Sequence, residues 1–295
     1  MKIRSGNRFF RPIWRKLKIF FSFFGYELVR SKKYLYLDQS TVAFEGVARW
    51  TRDGVPSDLS LFITNHLKSY QNYSQLQADL VALYLKRDDQ LKPGFFVEFG
   101  ATDGIHFSNT YILEKFYGWE GILAEPGANW HEDLRRNRKC NIDFRCIWED
   151  DDSEIEFSED KEGEYSTISS FSVSNINRSN RKIEKVYSVR TVTLESLLLS
   201  WSSPKDIDYV SIDTEGSEFE ILKNFPFHKF DIQMFSIEHN YSDTEFKVEK
   251  LMNDNGYDRI FRNITQWDGW YIKRNNPHYL SQVFDTNNVF HGSSK

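Results

Sequence analysis

The sequence predicts an α/β fold built on a mostly parallel sheet, with an antiparallel hairpin at its C-terminal end and a helical N-terminal extension. Three observations carry this prediction. From Gln75 onward, strand-like and helix-like segments alternate. The strand-like segments are short, near-continuous apolar runs, as expected of strands buried on both faces, and only a short turn separates the last two of them. No internal repeat at a spacing of about 20 to 50 residues is visible.

Taken in order, the first segment is basic: residues 1–33 hold ten Lys or Arg and one acid, Glu27. On a helix of 3.6 residues per turn, Phe10, Ile13, Trp14, Leu17, Phe20, Phe21 and Phe24 share one face, while Arg8, Arg11, Arg15 and Lys18 share the other. Such a segment, over residues 8–24, suits peripheral contact with an anionic membrane surface or docking of its aromatic face onto the protein's own core. Both readings stand at this point. The run Ile19–Phe24 is broken by Ser22 and is too short to span a bilayer, and no small-residue cleavage site follows it. Residues 34–70, with Gly46, Gly54 and Pro56, read as a connecting region, so the expected domains are 1–70 and 71–295.

From Gln75 a helix through Leu76, Leu80 and Leu83 is expected to end before Pro93 and Gly94. Next come a strand over Phe95–Gly100, a helix over Asn109–Tyr117, a strand over Gly121–Glu125, a helix over Asn129–Asn137 and a strand over Ile142–Ile147. The acidic run Glu149–Glu164 reads as a solvated loop. Val189–Val192 reads as extended, Leu194–Leu199 as helical, and Tyr209–Asp213 and Phe235–Glu238 as buried strands ending in acids. A helix over Thr244–Asn255 and strands over Asp258–Arg262 and Trp267–Lys273 close the pattern.

Composition limits the function classes. With 40% hydrophobic and 16% aromatic residues among 295, the chain has the means for a large core. A net charge of -5 argues against a general nucleic-acid binder, which needs a dense basic surface. Two cysteines, Cys140 and Cys146, imply no disulfide framework, so a reducing, cytoplasmic setting is expected, at the membrane surface if the basic segment binds lipid.

In a parallel sheet, ligands collect at the carboxyl ends of the strands. The first strand ends in Glu98-Phe99-Gly100-Ala101-Thr102-Asp103-Gly104, where two glycines allow a tight turn and close backbone approach. The loop lacks the three-glycine dinucleotide spacing and the lysine of a triphosphate loop, and Glu98 and Asp103 would repel phosphate yet attract the ammonium of an amino-acid-like ligand. The second strand ends in Glu125-Pro126, a carboxylate placed to accept from ribose hydroxyls or, alternatively, to cap the helix that follows.

The ordered runs VEFGATDG, SNTYILEKFYGWEGILAEP, TVTLESLL, IDYVSIDTEGSEFEIL and FSIEHN resemble the FkbM family of class I methyltransferases across residues 74–273. The resemblance implies a Rossmann-like class I methyltransferase sheet and transfer of a methyl group from S-adenosyl-L-methionine to oxygen, often on sugars of surface polysaccharides or natural products. It also implies that Glu98, Gly100, Ala101, Asp103 and Gly104 line the methionine part of the cofactor and that Glu125 and Pro126 lie at the ribose. Ser108, Asn109 and Thr110 are candidates for the cofactor carboxylate, or an ordinary helix cap. The polar stretch Ile155–Val189 and the basic N-terminal segment lie outside the family pattern.

Activating an acceptor hydroxyl calls for a base or a metal. Asp213, Glu215, Glu238 and His239 are the candidates, with Asp213 beside the methyl group and also at the cofactor, His239 as base and Glu238 as its orienter. A hard cation such as Mg or Mn, held by Asp213 and Glu238, is the alternative. His106 is a second base candidate, and Glu218 and Glu220 read as the first turn of a helix. Trp130, Trp148, Tyr165 and Phe171 are either a sugar-stacking wall or core. The expected acceptor is a glycan or small molecule. A catalytically silent membrane-associated binding protein and an N-methyltransferase are the competing readings.

Overall fold

The computed structural model describes residues 28–30, 35–37, 46–51, 55–69, 71–88, 92–161, 163, 165–172 and 181–276. The expected amphipathic helix over 8–24, with its membrane and core-docking readings, lies outside the described residues. Two units divide between Asn72 and Tyr73. In the first, β1 (Leu28–Arg30) pairs antiparallel with β2 (Leu35–Leu37), and α1 (Ser57–Ser69) buries Leu59, Ile63 and Leu67, one helical turn apart along a single face. None of the described helices is long and apolar enough to cross a membrane.

The second unit holds α2 (Ala78–Leu85), β3 (Phe95–Phe99), α3 (Tyr111–Tyr117), β4 (Glu120–Ala124), α4 (His131–Asn137), β5 (Asn141–Asp143), β6 (Cys146–Ile147), β7 (Glu154–Asp160) and β8 (Thr167–Ile168). Then follow β9 (Ile183–Val192), α5 (Leu194–Ser200), β10 (Asp206–Ile212), α6 (Glu218–Leu222), β11 (Asp231–Glu238), α7 (Glu245–Asp254), β12 (Tyr257–Ile260) and β13 (Asp268–Lys273).

Seven strands form one sheet in the order β12-β13-β11-β10-β3-β4-β5. The pairs β11–β10, β10–β3, β3–β4 and β4–β5 are parallel, whereas β13 runs antiparallel to both β11 and β12, as the short turn predicts. The interior strands are buried along most of their length because helices cover them. Leu194, Leu197 and Leu198 of α5, Ile221 and Leu222 of α6, and Val248 and Met252 of α7 share one cluster with Val97, Val210 and Phe235 of the sheet. Each such side chain contributes about 1.5–3 kcal/mol on burial. The α2 helix is buried all round and includes an acid, Asp79.

Two expectations change. The strand expected over Ile142–Ile147 is two strands: β5 ends the large sheet, and β6 turns away into a second sheet ordered β6-β9-β7-β8. The acidic run is not a solvated loop, since Glu154–Asp160 is strand β7, paired antiparallel with a ten-residue β9. Its alternation explains this: Ile155 and Phe157 pack with Tyr187 and Val189, while Glu154 and Glu156 remain exposed. At the buried end, Glu159 accepts from the Tyr187 hydroxyl and Asp160 accepts from the Lys182 amide, so the acids are matched rather than solvated.

Candidate active site

Chain order in the sheet reverses between β3 and β10, and ligands of open α/β sheets bind at such a switch point. There the strand ends open into a cleft of about 340 Å³, within the range of about 300–1,000 Å³ for small-molecule sites. Glu98 of β3 and Gly100 just after it, Glu125 and Pro126 after β4, Asp213 and Glu215 after β10, and Glu238 of β11 line it. The strand ends meet closely: Gly100 has φ +73°, and a Cβ there would lie 1.9 Å from the Asp213 carbonyl oxygen. Only glycine lets the β3 loop pass the β10 end.

Several expected residues serve the loop rather than the cleft. The Ser108 and Thr110 hydroxyls donate to Glu98 at 2.9 and 2.5 Å, and the Asn109 amide donates to it at 2.6 Å. The hydroxyl groups expected to face a cofactor carboxylate are therefore engaged with a protein carboxylate, and neither Ser108 nor Thr110 lines the cleft. The Asn109 side chain does reach it, while donating to Ser211 and accepting from Ser74. Asp103 faces its own turn, accepting from the amides of Ile105 and His106 at 2.8 Å each and from His106 Nδ1 at 2.5 Å. Gly104 (φ +78°) lies against Leu134 and Arg138, where a Cβ would approach both within 2.6 Å. Ala101 is buried in the same turn. Ala101, Asp103 and Gly104, expected at the methionine part of the cofactor, do not line the cleft.

Arg138, with a fully buried guanidinium, closes this network. It donates to Glu114 at 2.6 Å, to Gly104 O and Ser108 at 3.1 Å and to Thr110 at 2.9 Å, and lies 3.7 Å from Glu98. Burial alone would raise the Glu114 pKa, but Arg138 overrides it and holds this carboxyl below its ordinary value.

On the β4 bank, the Glu125 oxygens accept from Thr102 N at 2.8 Å and Gly127 N at 2.7 Å. Burial pushes its pKa up to about 7 despite those two amides. Each oxygen keeps a lone pair for a further donor.

The opposite rim is different. Asp213 opens onto the cleft, yet the surrounding protein and the charges of Glu215, Asp268 and Glu218 push its pKa well above normal. Glu238 is raised well above normal too, by burial and then by Asp213 and Glu215. Carboxylate oxygens of Asp213, Glu215 and Glu238 lie within 4.8 Å of one another. Among the described residues, Glu215 is the one of the three with a cation, the buried Arg181 at 2.9 Å. Glu218 opens α6 and reaches back to accept from the amides of Thr214 and Gly216, fixing the loop between them.

His239 does not join this rim. Consecutive residues of a strand end point to opposite sides, so with Glu238 in the cleft His239 faces away. Its Nδ1 accepts from Tyr241 N at 3.0 Å, and its Nε2 lies 2.8 Å from Arg259. Burial and that cation lower its pKa, and the expected base role, with Glu238 as orienter, lacks the geometry. His106 lines the cleft but is largely exposed. Of the expected aromatic wall, Tyr165 lines the cleft, whereas Trp148 and Phe171 pack on the small sheet and Trp130 sits under Gly163.

Sequence reasoning missed Gln75, Phe107, Asn240 and Trp267 at the cleft, and Phe157 and Ile168 contributed by the small sheet. The period-2 pattern Ile155, Phe157 within the acidic run was the available signal. Thr102, Phe107, Glu215 and Asn240, all at the cleft, hold left-handed φ values of 45 to 61°. Such strain, about 1–3 kcal/mol per residue, concentrates at functional sites.

Among solved structures, the chain is similar to the METTL16 MTase domain, with a TM-score of 0.40 and 10% identity over 83% of this chain and 85% of that one. The N-terminal domain of human METTL16 in complex with SAH aligns with a TM-score of 0.36 and 12% identity, over 92% of this chain and 98% of that one. Precorrin-6y C5,15-methyltransferase from Geobacter metallireducens GS-15 aligns with a TM-score of 0.33 and 10% identity, over 70% and 93%. Similarities this distant carry no substrate across. No curated protein sequence matches the chain significantly. The family model of the methyltransferase FkbM domain matches residues 98–267, more than half of the chain and all four strand ends that build the cleft. The parallel strands flanking the switch point and the antiparallel β13 form the sheet of a class I methyltransferase, and the chain belongs to the FkbM methyltransferase family.

Proposed function

We propose that the protein is an S-adenosylmethionine-dependent O-methyltransferase whose acceptor is a hydroxyl of a sugar in a glycan or glycoconjugate. The observation that carries this reading is the asymmetry of the cleft, with a hydrogen-bond-accepting Glu125 on one bank and, on the other, an acid pair, Asp213 and Glu238, that has no cation among the described residues. The sugar class and a membrane-surface location rest on the family resemblance and on the basic aromatic segment 8–24.

The residues fit the cofactor. Glu125 has free lone pairs for two ribose hydroxyls, and Cys146, Ile147, Phe157 and Ile168 give the same cleft an apolar wall for a base. When bound, S-adenosylmethionine supplies a methyl carbon on a positively charged sulfur. Asp213 and Glu238, which line the same cleft, would take the acceptor's hydroxyl proton onto a carboxylate oxygen as the methyl group is transferred. A carboxylate of raised proton affinity is the stronger base once ionised, and a cationic donor bound in the cleft would favour its ionised form. An alcohol needs that help more than an amine, which favours oxygen over nitrogen as acceptor. Glu215, already paired with Arg181, is a weaker donor to Mg or Mn, and we assign the rim to proton transfer rather than to a cation.

Calorimetry with S-adenosylmethionine tests the donor half. Glu125→Gln should weaken binding about 10- to 100-fold, as loss of a charged acceptor does. Wild-type affinity should fall as the pH drops through about 7, where Glu125 gains its proton. Transfer of radiolabelled methyl to a panel of methyl glycosides, undiminished by EDTA, tests the acceptor half. Wild-type binding that Glu125→Gln does not alter, or activity abolished by EDTA and restored by Mg, would refute the assignment.

A further inference from the structure

We infer that the small sheet is a two-point clamp on the cleft, with Arg181 and Tyr187 as positioning residues for separate halves of the reaction. The inference rests on the methyl-transfer reading above and adds a division of labour to it.

On the acceptor side, Arg181 lies two residues before β9, and its side chain is 2% exposed. Nε donates to Tyr165 O at 2.9 Å, Nη1 to Phe171 O at 3.2 Å and Ser172 O at 3.0 Å, and Nη2 to Glu215 Oε2 at 2.9 Å and Glu215 O at 3.3 Å. All five guanidinium donors are thus engaged. The carbonyls they hold flank Ser166 and Ile168, which line the cleft, while Glu215 stands two residues from Asp213. The Thr167 hydroxyl reinforces the joint by pointing at Thr214 O and Glu215 O, at 3.3 and 3.2 Å. One cation therefore fixes the wall of the cleft and the rim of acids in a single geometry. A lysine cannot reproduce this fork.

On the nucleoside side, the Tyr187 hydroxyl of β9 donates to Glu159 of β7 and accepts from Ala128 N, both at 2.8 Å, and Asn129 N donates to the same Glu159 oxygen at 3.2 Å. Ala128 and Asn129 follow directly on Glu125-Pro126-Gly127. Gly163 sits so close to the Trp130 ring that a Cβ there would fall within 2.4 Å. The loop bearing Glu125 is thereby pressed onto the β7–β9 pair. β7 and β9 pair antiparallel from Glu154 to Asp160, with a register shift between Glu159 and Asp160, so the two joints sit on one hydrogen-bonded pair of strands.

The test separates the two joints with near-isosteric variants. S-adenosylhomocysteine affinity is measured by calorimetry, and kcat and KM are measured with labelled donor and the best methyl glycoside of the panel. Tyr187→Phe should weaken S-adenosylhomocysteine about 3- to 10-fold, the worth of one or two hydrogen bonds, and leave the glycoside KM within about twofold. Thr167→Val and, more strongly, Arg181→Met should do the reverse. They should raise the glycoside KM and so lower kcat over KM by about 10- to 100-fold, as misplacement of reacting groups does, with S-adenosylhomocysteine affinity held within about twofold. Arg181→Lys should not restore the loss. Should Arg181→Met fail to fold, Thr167→Val and Tyr187→Phe still decide the matter. A merely structural sheet would lower the folded fraction and so kcat alone, in all variants. That outcome, or both joints shifting the same constant, overturns the clamp while wild-type turnover upholds the methyl-transfer reading. A wild-type chain that binds no S-adenosylhomocysteine removes both.

Discussion

Glu98 at the end of β3 and the Asp213–Glu238 pair at the ends of β10 and β11 are acids on adjoining strands, yet their surroundings are opposite. Glu98 meets two hydroxyls, one amide and the Arg138 guanidinium. Asp213 and Glu238 meet chiefly each other and further acids. The first arrangement matches a buried acid with donors and builds a rigid loop. The second leaves charge unmatched, which costs stability and raises proton affinity. Matching therefore distinguishes an acid that holds the fold from one available for chemistry.

The comparison breaks first at Asp213. Asp213→Asn should reduce methyl transfer about 10²- to 10⁴-fold while thermal stability stays level or rises, because a repelling charge is gone. Labelled-donor assays beside a melting curve measure both, and a variant that loses stability in proportion to activity would place Asp213 with Glu98 instead. The matched side gives the next effect. Arg138→Met leaves Glu98 and Glu114 without their cation and should cost about 3–5 kcal/mol, as removal of one partner of a buried pair does. A denaturant midpoint that hardly moves would show that the network contributes little.

A fourth acid sharpens the contrast without touching the cleft. Asp79 in α2 is buried, its Oδ1 accepts from Leu80 N, and its Oδ2 has no partner. Burial, with the nearby Glu98 charge added, pushes its pKa up to about 8. The folded state thus holds a proton that the unfolded chain releases near about pH 4, so this contribution is present at low pH and is lost as the pH rises through about 8. Asp79→Asn should flatten that decline, by on the order of a few kcal/mol between pH 5 and 8, in melting curves recorded across the range. Parallel slopes for the two proteins would contradict the assignment.

The large sheet was legible because its strands are apolar runs of the right length and its acids fall at strand ends, where the topology then gathers Glu98, Glu125, Asp213 and Glu238. The direction of side chains was not legible. Ser108, Thr110 and Asp103 carry groups suited to a ligand, and only coordinates show that protein atoms engage those groups. His239 failed for the simplest reason, alternation along a strand. The small sheet stayed hidden because acids dominate residues 149–164 and mask the two apolar positions that set its period.

Gly100 imposes a practical limit on redesign. With no room for even a methyl group between its backbone and the Asp213 carbonyl, the donor loop and the acceptor rim share a joint one atom wide. Any substitution at Gly100 would force the two halves of the machine apart together.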